Sequence, residues 1–198
     1  MTLPATRAMV AAMPIPAVLE RARALLEQKV EGEVLSFGLV RASFYETQST
    51  ADEFFSALVE GAFLVASADE LLSEEETDAL AETIAFVAGE RLPADDFSAM
   101  LTSFAEVRSD DGEAGRIRTL ADAIPDEAAR REVLRFAVLV ALCDGELSGR
   151  EHDTLLALGG AFGFDPEAVD ATIGRVATLL RDANEADAGR TPDGSRGQ

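Results

Sequence analysis

A nineteen-residue stretch of this chain recurs 75 positions further on. AFLVASADELLSEEETDAL, starting at Ala62, aligns without a gap on AVLVALCDGELSGREHDTL, starting at Ala137, and ten positions are identical. Among the identities are Asp69 with Asp144, Leu72 with Leu147, Ser73 with Ser148 and Glu76 with Glu151. A repeat at one fixed offset constrains the fold strongly, because two copies of a unit must bury equivalent faces. Outside this window the match fades, and an insertion after Gly89 is needed to bring Asp96-Phe97 onto Ala168-Val169. Each copy reads as an apolar helix, a short turn and a second helix with a capping signal. Two such units are expected to face each other across a pseudo-twofold axis.

Ala, Leu, Glu and Arg recur at 3- and 4-residue spacings, while alternating β-branched runs are absent, and so is any Asn-Gly or Asp-Gly turn flanked by such runs. The chain is therefore expected to be all-α, a helical bundle of about seven to nine helices built around two helix-turn-helix repeats. Nine helical segments can be drawn: near Ala17 to Val30, Glu33 to Tyr45, Ala51 to Ala68, then from Ser73 to Gly89. The later ones follow Pro93-Ala94-Asp95, run near Gly115 to Ala123, open at Pro125-Asp126-Glu127, start after Ser148 and start at Asp165-Pro166-Glu167. Thr50 with Glu53 has the capping-box spacing. Residues 1–49 read as a helical extension packed on the bundle, and 50–182 as the main domain with repeats near 54–107 and 129–181. The Gly-, Asp-, Arg- and Ser-rich residues 183–198 read as a disordered tail.

Two segments lack a polar face: FFSALVEGAFLVASA, from Phe54, and VLRFAVLVALC, from Val133. Helices apolar nearly all round belong at the centre of a bundle, so Phe54, Phe63, Leu64, Phe136, Leu139 and Val140 are expected core residues. That apolar mass matters, since the chain holds 17 Lys and Arg against 37 Asp and Glu, a formal charge of −20. Acidic disordered chains lack such mass; 47% hydrophobic residues argue for a folded domain. The charge argues against nucleic acid, whose phosphates need clustered cations, and against anionic membrane surfaces. One cysteine, Cys143, allows no intramolecular disulfide. The longest apolar run falls short of the roughly 20 residues of a membrane helix. A cytoplasmic protein without membrane insertion is the expectation.

The repeated turn is mostly explicable as folding chemistry. Ser73 with Glu76, and Ser148 with Glu151, have the capping-box spacing, and Leu72 and Leu147 stand where a hydrophobic staple would fix the chain's entry. Gly145 follows the second apolar helix where a left-handed residue commonly ends one; the first copy has Glu70 there. Asp69 and Asp144 obey a different logic. Each ends a helix, where the dipole disfavours an acid by ~0.3–1 kcal/mol, and both copies break the rule at the same place. Two readings stand. Either each aspartate accepts amide hydrogens from its own turn, or Asp69, Glu76, Asp144 and Glu151 converge on a cation.

The duplicated string Val140-Ala141-Leu142-Cys143-Asp144-Gly145-Glu146-Leu147-Ser148-Gly149-Arg150-Glu151, placed after an apolar helix, resembles the tellurite-resistance TerB family. The likeness extends over about Thr50 to Leu180. It implies a two-repeat all-helical domain, a stress-response role linked to tellurite, no catalysis, and a divalent-metal site at Asp69, Glu76, Asp144 and Glu151.

Carboxylate oxygens suit Ca²⁺, Mg²⁺ or Mn²⁺, whereas structural zinc wants Cys and His, and the chain has one of each, Cys143 and His152. One Asp and one Glu per repeat fall short of the six to eight oxygens of a tight calcium site, so affinity should be modest, and strong binding would need both repeats to contribute or waters to complete the shell. Enzyme chemistry is not indicated. His152 stands between Glu151 and Asp153 as a surface residue without an evident catalytic partner. Cys143 among acids is a small core residue and not an activated thiol. Gly159, Gly160 and Gly163 follow a helix, not a strand, so they read as packing or stop residues and not as a phosphate loop. The competing reading is an acidic helical scaffold that docks a protein partner with a basic surface, with no specific metal.

Overall fold

The computed structural model describes residues 48–69, 72, 77, 78, 80, 81, 93–142 and 146–188. These are helical with no strand among them, which makes the domain all-α. Six complete helices follow in order: α1 (Gln48–Ala66), α2 (Ala94–Asp111), α3 (Glu113–Ala123), α4 (Glu127–Ala141), α5 (Gly149–Ala161) and α6 (Pro166–Ala188). Residues 77, 78, 80 and 81 are also helical, inside the segment expected from Ser73 to Gly89. The segments expected at Ala17 to Val30 and Glu33 to Tyr45 lie outside the described residues.

The two apolar segments pack on each other more extensively than any other pair, as α1 and α4. Ala62, Leu64 and Val65 of α1 and Val133, Phe136, Ala137 and Leu139 of α4 are almost wholly removed from water. Close approach of the pair depends on Gly61: a Cβ there would lie 2.7 Å from Val133 Cγ1. Of the six expected core residues, five are buried, and Val140 is only partly so. α5 lies against α1, α3, α4 and α6, and closes the bundle with Leu155 and Leu158.

Local signals set most helix ends. Asp126 caps α4, its side chain accepting from the Ala129 amide at 2.9 Å. Pro125 therefore precedes the cap and does not occupy the first turn. Asp165 accepts from the Ala168 amide at 2.7 Å at the start of α6. Gly112, at φ +72°, separates α2 from α3 in a single residue, so α3 begins at Glu113 and not near Gly115. α1 begins at Gln48, which puts Thr50 inside the helix instead of at its cap. α6 runs to Ala188, so the expected tail boundary at 183 falls within a helix. Ala and Glu carry helical propensity through this stretch, and the first glycine comes only at 189.

Buried charges are tied across helices. Glu60, alone among apolar neighbours on α1, accepts from Arg116 Nε at 2.9 Å and Nη2 at 2.6 Å. Burial works against the Arg116 charge, but Glu60 and then Asp111 outweigh it and hold the guanidinium above its ordinary pKa. Arg130 donates to the carbonyls of Ile124 at 2.5 Å, Ala121 at 2.9 Å and Phe162 at 3.4 Å. One guanidinium thus serves the C-terminal ends of α3 and α5, where the helix dipole favours a cation.

The glycine run on α5 separates packing from stopping. A Cβ on Gly159 would sit 2.3 Å from Val169 Cγ2 of α6, while Gly160 faces open space and Gly163 adopts φ +90°. Gly159→Ala should therefore cost about 1–3 kcal/mol by overpacking. Gly160→Ala, inside the same helix, should be neutral or stabilising by up to ~1 kcal/mol. Urea unfolding of the two variants reads the contrast directly; equal losses would contradict the packing described.

Candidate functional site: the acidic corners

The first corner follows α1. The Ser67 amide donates to Phe63 O at 2.9 Å and the Ala68 amide to Val65 O at 3.0 Å, which winds the last turn tight. The Ser67 hydroxyl donates to Phe63 O at 2.6 Å. Arg108, from α2, donates to the Ser67 carbonyl at 2.7 Å and to the Ser67 hydroxyl oxygen. It also pairs with Glu113 at 3.3 Å, whose other oxygen accepts from Thr154 of α5 at 3.3 Å. A cation on the last carbonyls of α1 is favoured by the dipole, and here it joins the end of α1 to α2, α3 and α5. Asp69 comes next in the chain and is exposed.

The second corner leads into α5. Ser148 caps the helix, its Oγ accepting from the Glu151 amide at 3.1 Å, while Glu151 Oε2 accepts from the Ser148 amide at 2.7 Å. The capping box expected from the spacing is present in full. Leu147 and Leu72 both pack against the core from partly buried positions, where staple residues belong.

The chain just after α1 and the first turn of α5 approach each other. Arg150 Nε lies 3.8 Å from Asp69 Oδ1, and both side chains are exposed. Of the four acids expected to form a site, Asp69 thus reaches the second corner through Arg150. Glu151 commits one carboxylate oxygen to the cap. Glu76 and Asp144 lie outside the described residues. Carboxylate oxygens fit a hard divalent cation chemically, but no group of three or more Asp, Glu, His or Cys with ligand geometry exists among the described residues. His152, half-exposed as expected of a surface residue, pairs through Nε2 with Asp170 Oδ1 at 2.9 Å.

Sequence reasoning missed the Ser67–Arg108–Glu113–Thr154 chain and the contact of Arg150 with Asp69. Ser67 and Arg108 are 41 residues apart, and no local spacing couples them. A signal did exist for Glu60: a lone acid in an otherwise apolar run must find a partner when buried.

The described residues form an all-helical domain around an apolar central pair, and none of the described helices is long and apolar enough to cross a membrane. Residues 55–173, more than half the chain, match the family model described as tellurite resistance protein TerB. The chain belongs to the TerB family. No match was found among curated proteins or among solved structures.

Ser148→Ala should cost about 0.5–2 kcal/mol through loss of the cap, and Ser148→Asp should restore most of it. Thermal unfolding of the two variants checks this; an unchanged midpoint in Ser148→Ala would remove the structural role assigned to the second corner.

Proposed function

We propose that the protein serves in resistance to tellurite and related chemical stress as a non-catalytic TerB-family domain whose duplicated acidic corners bind a divalent cation, Ca²⁺, Mg²⁺ or Mn²⁺, with modest affinity. The ligands in this reading are Asp69, Glu76, Asp144 and Glu151. The observation that carries it is the contact of Asp69 with Arg150, which supports both corners lying within reach of one another. A pseudo-twofold arrangement is part of the proposal. Several equivalent positions share their burial, Ala62 with Ala137, Leu64 with Leu139 and Leu80 with Leu155 being buried and Asp78 and Asp153 exposed, while Val65 with Val140 and Ala66 with Ala141 differ. Two symmetric corners could pool oxygens that one alone does not supply, with water completing the shell.

A second reading has its own support. Glu151 is engaged by the Ser148 amide and Asp69 stands beside a guanidinium, so these acids also suit an acidic scaffold that docks a protein with a basic surface. Such docking would weaken steeply with salt and persist in a chelator.

Melting the protein with millimolar Ca²⁺, Mg²⁺ or Mn²⁺ separates the two. A cation at about 100 times its dissociation constant adds ~2.7 kcal/mol of stability. We expect a rise in the melting temperature that Asp69→Asn/Asp144→Asn protein loses. An unchanged melt, identical in that variant, would falsify the cation site and leave the scaffold.

A further inference from the structure

Glu132 stands on α4, the helix that leads into the second corner, and is buried together with Arg135. Its Oε1 accepts from Arg135 Nη1 at 2.7 Å. Its Oε2 is buried with no hydrogen-bond partner. A buried carboxylate with an unmatched oxygen pays the desolvation of a full charge while drawing on a single bond. Native interiors rarely leave such an atom, and each case calls for a cause.

We propose that Glu132 is a proton-binding site inside the bundle: Oε2 takes up a proton from solvent at a pH where exposed glutamates are still ionised, turning the ion pair with Arg135 into a neutral acid beside a cation.

The surroundings favour the protonated form. Burial pushes the carboxyl above its ordinary value, and the opposing pull of Arg135, with a smaller one from Arg131, does not cancel it. Charged groups on the packed helices that have partners find them elsewhere. On α1, Glu60 is bonded to Arg116. On α5, Arg150 stands by Asp69, His152 pairs with Asp170 of α6, and Glu151 holds the cap. On α6, Arg175 donates to Thr172 at 3.1 Å. None of them bonds to Oε2.

The sign follows from linkage. A carboxyl whose pKa is higher in the folded than in the unfolded state adds stability that is complete below the unfolded pKa and is lost as pH rises through the folded one. Glu132→Gln mimics the protonated group at every pH. Its stability relative to the unaltered protein should therefore be most favourable at neutral pH and decline as the pH falls through the range of glutamate titration. Unfolding the two proteins across pH 4 to 8 (a range that brackets the ordinary glutamate pKa of about 4.3 at its lower end) reads that trend, and parallel curves would overturn the proposal. Carbon-13 NMR of the Glu132 carboxyl in the full chain gives an independent reading that needs no variant to fold. A midpoint above that of glutamate in an unstructured peptide is expected; one equal to it or below it sinks the idea.

Discussion

The packing of α1 on α4 is the constraint from which the rest of the structure follows. From Phe54 in α1 and from Val133 in α4 these helices are apolar on nearly every side, so those stretches cannot lie at the surface, and a chain carrying twenty excess negative charges must place most of its charges around them. Gly61 sets the separation, because a side chain there would collide with Val133. Once the pair is in place, α5 and α6 close on α4 with Gly159 seated against Val169. Among the described residues most acids are left for the outer faces and the helix ends, with Glu60 and Glu132 the buried exceptions.

Arginine connects that core to its periphery. Several of the described guanidinium groups face inward: Arg116 neutralises Glu60, Arg130 takes carbonyls from two helix ends, and Arg108 holds the last turn of α1. Placing these cations in the interior leaves fewer of them to offset the excess of acids outside. Among the described residues, the interior pair of Glu132 with Arg135 is not fully matched. Removing a single partner from a buried ion pair is far more damaging than losing an exposed one, by about 3–5 kcal/mol against ~0–1. Stability here therefore rests on a few inward arginines and little on the many surface acids.

Much of the fold was legible in the sequence because its signals are local. The helical periodicity, the helix openings at Asp126 and Asp165 and the Ser148–Glu151 capping box each rest on residues three or four apart and appear where read, although α4 takes Asp126 as its cap and leaves Pro125 outside the first turn. Helix limits were less legible. Thr50 looked like a cap yet lies inside α1, and the glycine-poor stretch up to Ala188 extends α6 beyond the compositional break seen near 183. The candidate site was legible only in its residue types. Nothing in the spacing of Ser67, Arg108, Glu113 and Thr154 reveals that they form one chain of bonds, and the approach of Arg150 to Asp69 depends on how two distant helices pack. Long-range pairing is a property of the assembled bundle, so it leaves no periodic mark.

The account stands on α1 and α4 pairing so that Asp69, just after α1, comes beside Arg150 in the first turn of α5. Nitroxide labels at positions 69 and 150, introduced as cysteines in a Cys143→Ser background, test this directly, since both native side chains are exposed and tolerate replacement. Strong dipolar broadening of the continuous-wave spectrum, lost on unfolding, is the result expected. A spectrum equal to the sum of the two singly labelled proteins would mean that the corners are apart and the account is wrong.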